Sequence, residues 1–301
     1  MTEPERSSVP AAGETIPAWA LRVRQRSRLG VGLAIAVVGR VYRLAIRLIV
    51  VAFFVAVPWA WSVADGTAAL AGRAVTLMAA PFVLPVVYFT WIDPPATFYM
   101  LRRRSGPWRS RLCQHWTRLD AMAPAMPLAV LASEDPYFLW HIGFDPIAML
   151  EAHRYNRHDR QPGGRLRGGS TLTQQLAKNL FLPFTQAYMR KIAEAVFTML
   201  MEGLWSKRRI LEIYLNVVEL GDDVFGVESA AQRFFRCSAA ALTTEQAALL
   251  AAALPRPRAH RVDAPPPSMR KHQAAILQRM SWCGVELVEP LAGTGRSVYP
   301  R

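Results

Sequence analysis

Two stretches of this chain carry no charged side chain at all, and they constrain its architecture more than any other feature. Residues 48–64 read LIVVAFFVAVPWAWSVA between Arg47 and Asp65, and residues 74–92 read AVTLMAAPFVLPVVYFTWI between Arg73 and Asp93. As helices rising about 1.5 Å per residue they reach about 25–29 Å, close to the hydrocarbon thickness of a bilayer. Trp59, Trp61, Tyr88 and Trp91 fall near the ends of the runs, where interfacial aromatics belong. Neither run has a polar face, so a buried core helix fits them less well than a membrane element does. The pattern predicts a membrane-associated or transmembrane region over 48–92. Ahead of it, at 1–47, lies a basic segment carrying Arg22, Arg24, Arg26, Arg28, Arg40, Arg43 and Arg47. By the positive-inside rule that segment is cytoplasmic.

The remaining chain has the composition of a folded domain. Hydrophobic residues make up 52% of the 301 and charged ones 19%, which excludes a disordered or fibrous protein. Three cysteines, Cys113, Cys237 and Cys283, are too few and too scattered for a disulfide scaffold. A net charge of +14 suits a nucleic-acid binder in principle. No zinc-finger spacing, RNP-like aromatic motif or long basic run accompanies it, so nucleic acid is not expected as a partner.

After the linker IDPPAT (92–97) the chain reads as mostly α. Asp145-Pro146 is a helix start: Asp accepts from free N–H groups and Pro suits the first position. Thr171 and Gln174 form a capping-box pattern ahead of Leu172, Leu176 and Leu180. Further helices are predicted from about Tyr188 to Leu204, after Ser206, and after Thr243 with Gln246 up to Pro255. Alternating strand patterns are scarce.

Three polar segments stand out. Glu134 follows the apolar run Leu128–Ala132, beside Phe138 and Trp140, where desolvation makes a carboxylate a better base. A helix-terminal charge, or a pair with His141, is the plainer account of it. The stretch GGRLRGGSTLTQQLAKN (163–179) brings glycines to a helix amino terminus, a geometry suited to phosphate, though it is neither a Walker loop nor a dinucleotide fingerprint. In Arg190-Lys-Ile-Ala-Glu194 the default is an ion pair from Arg190 to Glu194 across one turn. The basic stretch WSKRRILEIYLN (205–216) either faces solvent or meets an anionic lipid.

Taken in order, EDPYFLWHIGFD (134–145), GGSTLTQQLAKNLFL (168–182), RKIAE (190–194), WSKRRILEIYLN (205–216) and FGVESAAQRFF (225–235) resemble the family-51 peptidoglycan glycosyltransferases, in their monofunctional biosynthetic branch. The resemblance runs from about Asp93 to about Arg279. It implies a lysozyme-like glycosyltransferase domain at 93–285, a tail at 286–301, and polymerisation of lipid II with inversion and release of undecaprenyl pyrophosphate. It also implies that Glu134 is the base on the acceptor hydroxyl and that Glu194 assists the leaving group. Ser170, Thr171, Gln174, Gln175, Lys178, Asn179, Arg190 and Lys191 match substrate-binding positions. No cofactor is demanded, but a divalent cation, Mg or Mn, near Glu194 is compatible with the family chemistry. One departure is visible: the Arg-Ser pair usual before the second glutamate is here Gln186 and Ala187.

Two rival readings fit a chain of this kind, a lysozyme-like glycan-cleaving enzyme and a non-catalytic scaffold of wall synthesis. The implied partners are lipid II, the growing glycan chain on its pyrophosphate, the membrane, and proteins of wall synthesis or division. Because such a domain must work outside the bacterial inner membrane, a cytoplasmic amino terminus requires an odd number of spans. A single pass through 74–92 is then favoured, with 48–64 interfacial and Arg102–Arg104 near lipid phosphates outside; the alternative is a helical hairpin with an external amino terminus, which breaks the positive-inside rule at both arginine clusters.

Overall fold

Helix-start signals in the sequence are where this chain bends, and the bends set its architecture. The computed structural model describes residues 16–28, 31–63, 66–104, 113–159, 168–182, 187–284 and 287–291. Among these, twelve α-helices are found: α1 (Ala18–Arg28), α2 (Val31–Val63), α3 (Thr67–Tyr88), α4 (Phe98–Arg104), α5 (Ala125–Glu134), α6 (Pro146–Arg154), α7 (Leu172–Phe181), α8 (Ala187–Leu204), α9 (Lys207–Val217), α10 (Val227–Phe235), α11 (Thr244–Ala253) and α12 (Pro267–Cys283). The strands β1 (Cys113–Gln114), β2 (Glu219–Gly221) and β3 (Val224–Phe225) form one small sheet in the order β1-β3-β2. At two or three residues each, they are too short to write a period-two pattern into the sequence.

The capping rules hold in detail. Asp145 accepts from the N–H groups of Ile147 and Ala148 at 3.0 Å. Thr171 and Thr243 each form a reciprocal capping box, with Gln174 and Gln246. The Arg209 N–H donates to the Ser206 hydroxyl at 3.1 Å, opening α9.

Two compact units result. One comprises 1–34, 100–141 and 211–301, the other 35–99 and 142–210. In the first, α5, α11 and α12 pack on one another. Helix α5 buries every residue from Met126 to Ala132, and α11 every residue from Ala247 to Ala253, so alanine-lined backbones approach closely. In the second unit α7 and α3 pack on α8 around an aromatic cluster. Phe181 stacks on Phe197 with ring centres 4.4 Å apart, and Phe82 lies 5.3 Å from Phe197. The predicted stripe Leu172, Leu176 and Leu180 is buried there.

The uncharged runs differ from their sequence reading. The second does not continue as helix to Ile92. It stops at Tyr88, and Arg209 holds the turn beyond: its guanidinium donates to the carbonyls of Phe89 and Ile92 and pairs with Asp93 at 2.7 Å. Trp205 Nε1 donates to the Val86 carbonyl at 2.8 Å. The carboxyl end of this run is therefore part of the folded unit. Among the described residues no helix is long and apolar enough to cross a membrane; the side chains of 54–65 and of 68, 69 and 71 lie outside them.

Gly143 has φ +87°, and a Cβ placed there would lie 2.5 Å from Thr198 Cγ2 and 2.9 Å from Glu202 Cγ. Left-handed backbone costs an L residue about 1–2 kcal/mol, and overpacking costs about 1–3 kcal/mol more. Gly143→Ala is thus expected to destabilise the protein by about 2–5 kcal/mol, read as a lower midpoint in denaturant at unchanged slope.

Candidate active site

In the first unit the chemistry gathers at the end of α5. Glu134 is the last residue of that helix and is half-buried, with the Ser133 hydroxyl 3.4 Å from its Oε1. Asp135 follows as the cap and is buried. Its carboxylate meets His141 Nε2 at 3.0 and 3.1 Å. His141 therefore pairs with Asp135, a partner that the plainer sequence account did not name. Phe138 and Trp140 are buried, as their position beside an apolar run implied.

Tyr214, on α9, completes this group. It is fully buried, and burial first, then the negative charges of Glu134 and Asp135, push its phenol well above its ordinary range. The hydroxyl is therefore neutral at working pH and lies close to both carboxylates. The sequence put Tyr214 on an apolar stripe only. The available signal was the residue type, because a buried Tyr needs a partner for its hydroxyl where Phe or Leu would not.

In the second unit Glu194 sits within α8 and is only 4% exposed. Its partner is the Lys191 ammonium one turn earlier, and not Arg190. The same ammonium reaches the Ser170 hydroxyl at 3.4 Å, so the structure brings Ser170, Lys191 and Glu194 together. Arg190 Nε is buried without a hydrogen-bond partner. Lys178 is exposed, whereas Gln175 and Asn179 are half-exposed on α7. Gln174 is 2% exposed and its Oε1 accepts the Thr171 N–H at 3.0 Å, so its side-chain oxygen is engaged in the cap. The Thr171 hydroxyl donates to the Gly143 carbonyl at 2.6 Å. Residues 160–167 and 183–186, with Gln186, lie outside the described residues; so does the side chain of Ala187.

Several motif residues serve the scaffold. Glu202 is 3% exposed and accepts from the Thr173 hydroxyl at 2.6 Å and from Lys207 Nζ at 2.7 Å. Glu212 accepts the Leu119 N–H at 2.9 Å, and Asn216 exchanges hydrogen bonds with both backbone groups of Thr117. With Lys207 on Glu202 and Arg209 on Asp93, the basic stretch after Trp205 is largely internal wiring. That corrects its reading as a solvated or lipid-facing cluster. Arg103 is likewise engaged, pairing with Asp222 at 2.8 Å and Asp223 at 2.9 Å, and is not available to lipid phosphates.

A cation near Glu194 does not fit the residues present. Its carboxylate is paired with an ammonium, and among the described residues the one group of three close metal-type ligands is Glu219, Asp222 and Asp223. There Arg103 and Arg258 already supply the positive charge.

Known proteins match this pattern. A family model described as Transglycosylase covers residues 104–281. A biosynthetic peptidoglycan transglycosylase of Pasteurella multocida is 41% identical over 224 residues, 73% of this chain and 89% of its own length. One of Pseudomonas syringae pv. syringae is 43% identical over 216 residues, covering 70% and 90%. One of Klebsiella oxytoca is 44% identical over 206 residues, covering 67% and 84%.

Two outcomes follow from this wiring. Lys207→Met strands the buried Glu202 carboxylate and is expected to cost about 3 kcal/mol, the low end for a broken buried pair because Lys207 keeps some water. Adding Glu202→Met should recover most of that loss in a denaturant titration. Because the Tyr214 pKa is raised on folding, its contribution to stability is complete below about pH 10 and declines as pH climbs above that value. Tyr214→Phe should flatten the alkaline limb of the stability–pH curve while leaving the acid limb in place.

Proposed function

The chain belongs to the transglycosylase family, and we propose that it polymerises lipid II into β-1,4-linked glycan strands by a single inverting displacement. It is a peptidoglycan transglycosylase of cell-wall synthesis, and the family match and the named relatives support that activity. The observation that carries the finer reading is the contrast between its two carboxylates. Glu134 stands at a helix end beside a neutral phenol, whereas Glu194 is buried and paired with an ammonium.

That contrast suits two roles. Glu134 accepts the proton of the acceptor 4-hydroxyl as its oxygen attacks the anomeric carbon of the donor sugar. The bond from that carbon to the pyrophosphate oxygen breaks with inversion, and the electron pair leaves with undecaprenyl pyrophosphate. Negative charge builds on the leaving group, so fixed positive charge there lowers the barrier. Lys191, held by Glu194 and close to Ser170, and Arg190, with its buried Nε unpartnered, supply that charge. Ser170, Gln175, Lys178 and Asn179 are the solvent-accessible positions for donor contacts. Thr171 and Gln174 act through the cap that sets this turn.

A lipid-linked substrate implies apolar surface beside the site, and α8 provides it. Tyr188 is 80% exposed, and Met189 and Ile192 are also exposed on the same turns as Arg190 and Lys191. On α6 Ile147, Met149 and Leu150 are exposed as well. In water such residues are a cost, whereas against acyl chains they are an attachment. We place the domain, 93–285, on the outer face of the bacterial inner membrane, held there by the 48–92 region.

Labelled lipid II gives the test. Wild-type protein should yield polymer and no released glycan fragments. Glu134→Gln should lower the rate by at least about a hundredfold with an unchanged melting temperature. Glu194→Gln should lower it by a comparable factor. Wild-type turnover in Glu134→Gln would refute the base assignment, and fragment release from preformed glycan would support a hydrolase instead.

A further inference from the structure

The segment ahead of the uncharged runs is not a detached leader. Within the first unit α1 packs on α12, burying Ala20 and Val23 completely or nearly so. Trp19 meets Trp282 edge-on with ring centres 5.9 Å apart. The Tyr137 hydroxyl donates to the Trp19 carbonyl at 3.3 Å, and Tyr137 lies three residues past Glu134 in the loop that also holds Asp135. Residues before the uncharged runs thus touch residues that follow them by more than a hundred positions.

Helix α2 repeats the pattern within the second unit. The Tyr42 hydroxyl donates to the Met199 carbonyl at 2.7 Å, and Ile46 lies so close to Gly203 that a Cβ there would come within 2.5 Å of it. Further along, Val86 is tied to Trp205, and the carbonyls of Phe89 and Ile92 to Arg209. The uncharged runs are therefore fastened to α8 and α9 at both ends, near Ile46 and again near Val86.

A chain fastened to one side of a bilayer before and after a membrane segment crosses it an even number of times. We propose that Ala18–Arg28 is a structural helix of the transferase domain, docked on α12 and on the Glu134 loop, and that α2 and α3 enter and leave the membrane on the domain's side. The amino terminus then lies outside with the catalytic domain. This reverses the side that seven arginines assign to residues 1–47. The positive-inside rule counts charges on free flanking loops, and here a packed interface fixes the side instead. It also gives Trp19 a positioning role behind Tyr137. The inference rests on the proposed function only for the statement that the domain lies outside.

The test uses full-length protein in its own membrane, with an epitope tag at the amino terminus and a second tag at the carboxyl terminus. Protease added to spheroplasts should remove both tags at similar rates. Loss of the carboxyl-terminal tag alone, with the amino-terminal tag cut only after permeabilisation, would overturn the even-crossing proposal. Protection of both tags would defeat the external site of lipid II polymerisation while keeping the two ends on one side. A second measurement reads the docking itself. Trp19→Cys with Trp282→Cys, in a background with Cys113, Cys237 and Cys283 changed to Ala, should be bonded within one chain by a bismaleimide of about 10 Å reach, longer than a direct disulfide spans, a bond that neither single variant can form. Absence of that bond in protein that still polymerises lipid II would overturn the docking.

Discussion

A buried carboxylate, Glu202, ties together the half of the molecule that carries Glu194. Stripping a charge of water costs several kcal/mol unless partners replace the solvent, and Glu202 has the Thr173 hydroxyl and the Lys207 ammonium. Those partners come from α7 and α9, so one charge on α8 fixes the registry of three helices. Around it Gly143 packs against Thr198 and Glu202 with no room for a side chain, and its carbonyl receives the Thr171 hydroxyl. The turn that presents Ser170 to Lys191 is held by this arrangement, and without it the pair around Glu194 would have no fixed third member.

The other unit uses side chains bound to backbone groups for the same end. Asn216 and Glu212 stitch the 117–119 segment to α9, and Glu228 on α10 receives the Ala239 N–H at 2.7 Å. Tyr214 shares α9 with these stitches, so the phenol beside Glu134 is as well anchored as the scaffold. The two carboxylates assigned to chemistry sit on the rigid parts of their units: Glu134 ends a helix buried along its length, and Glu194 lies mid-helix. Preorganisation of that kind is what lets fixed charge act on a transition state without a reorganisation cost.

Much of the secondary structure was legible because capping is local. Asp145, Thr171, Ser206 and Thr243 each satisfy backbone N–H groups within three residues, so sequence and structure agree there. Glu134 and Glu194 were also legible as candidates, through the strings around them. Their partners were not. The sequence offered His141 for Glu134 and Arg190 for Glu194, by spacing. The structure gives His141 to Asp135, and Lys191 to Glu194. Spacing restricts which residues can meet but not which rotamer wins once neighbours compete. Gln174 was legible twice, as a cap and as a ligand contact, and its burial shows that the cap takes its side-chain oxygen.

By itself the sequence determined the helical class, the helix starts, the two uncharged runs and the family, since all of these are written in local pattern or in strings of adjacent residues. Only the tertiary structure decided what the motif charges do. Lys207, Arg209 and Arg103 read as a basic surface until Glu202, Asp93 and the Asp222–Asp223 pair, distant in sequence for Arg209 and Arg103, came within hydrogen-bonding reach of them. The contact of Trp19 with Trp282 is likewise beyond any sequence rule. The physical reason is common to both cases: a charge or an aromatic face is satisfied by whatever the fold brings within about 3–6 Å, and that neighbour is set by chain topology, not by residue order.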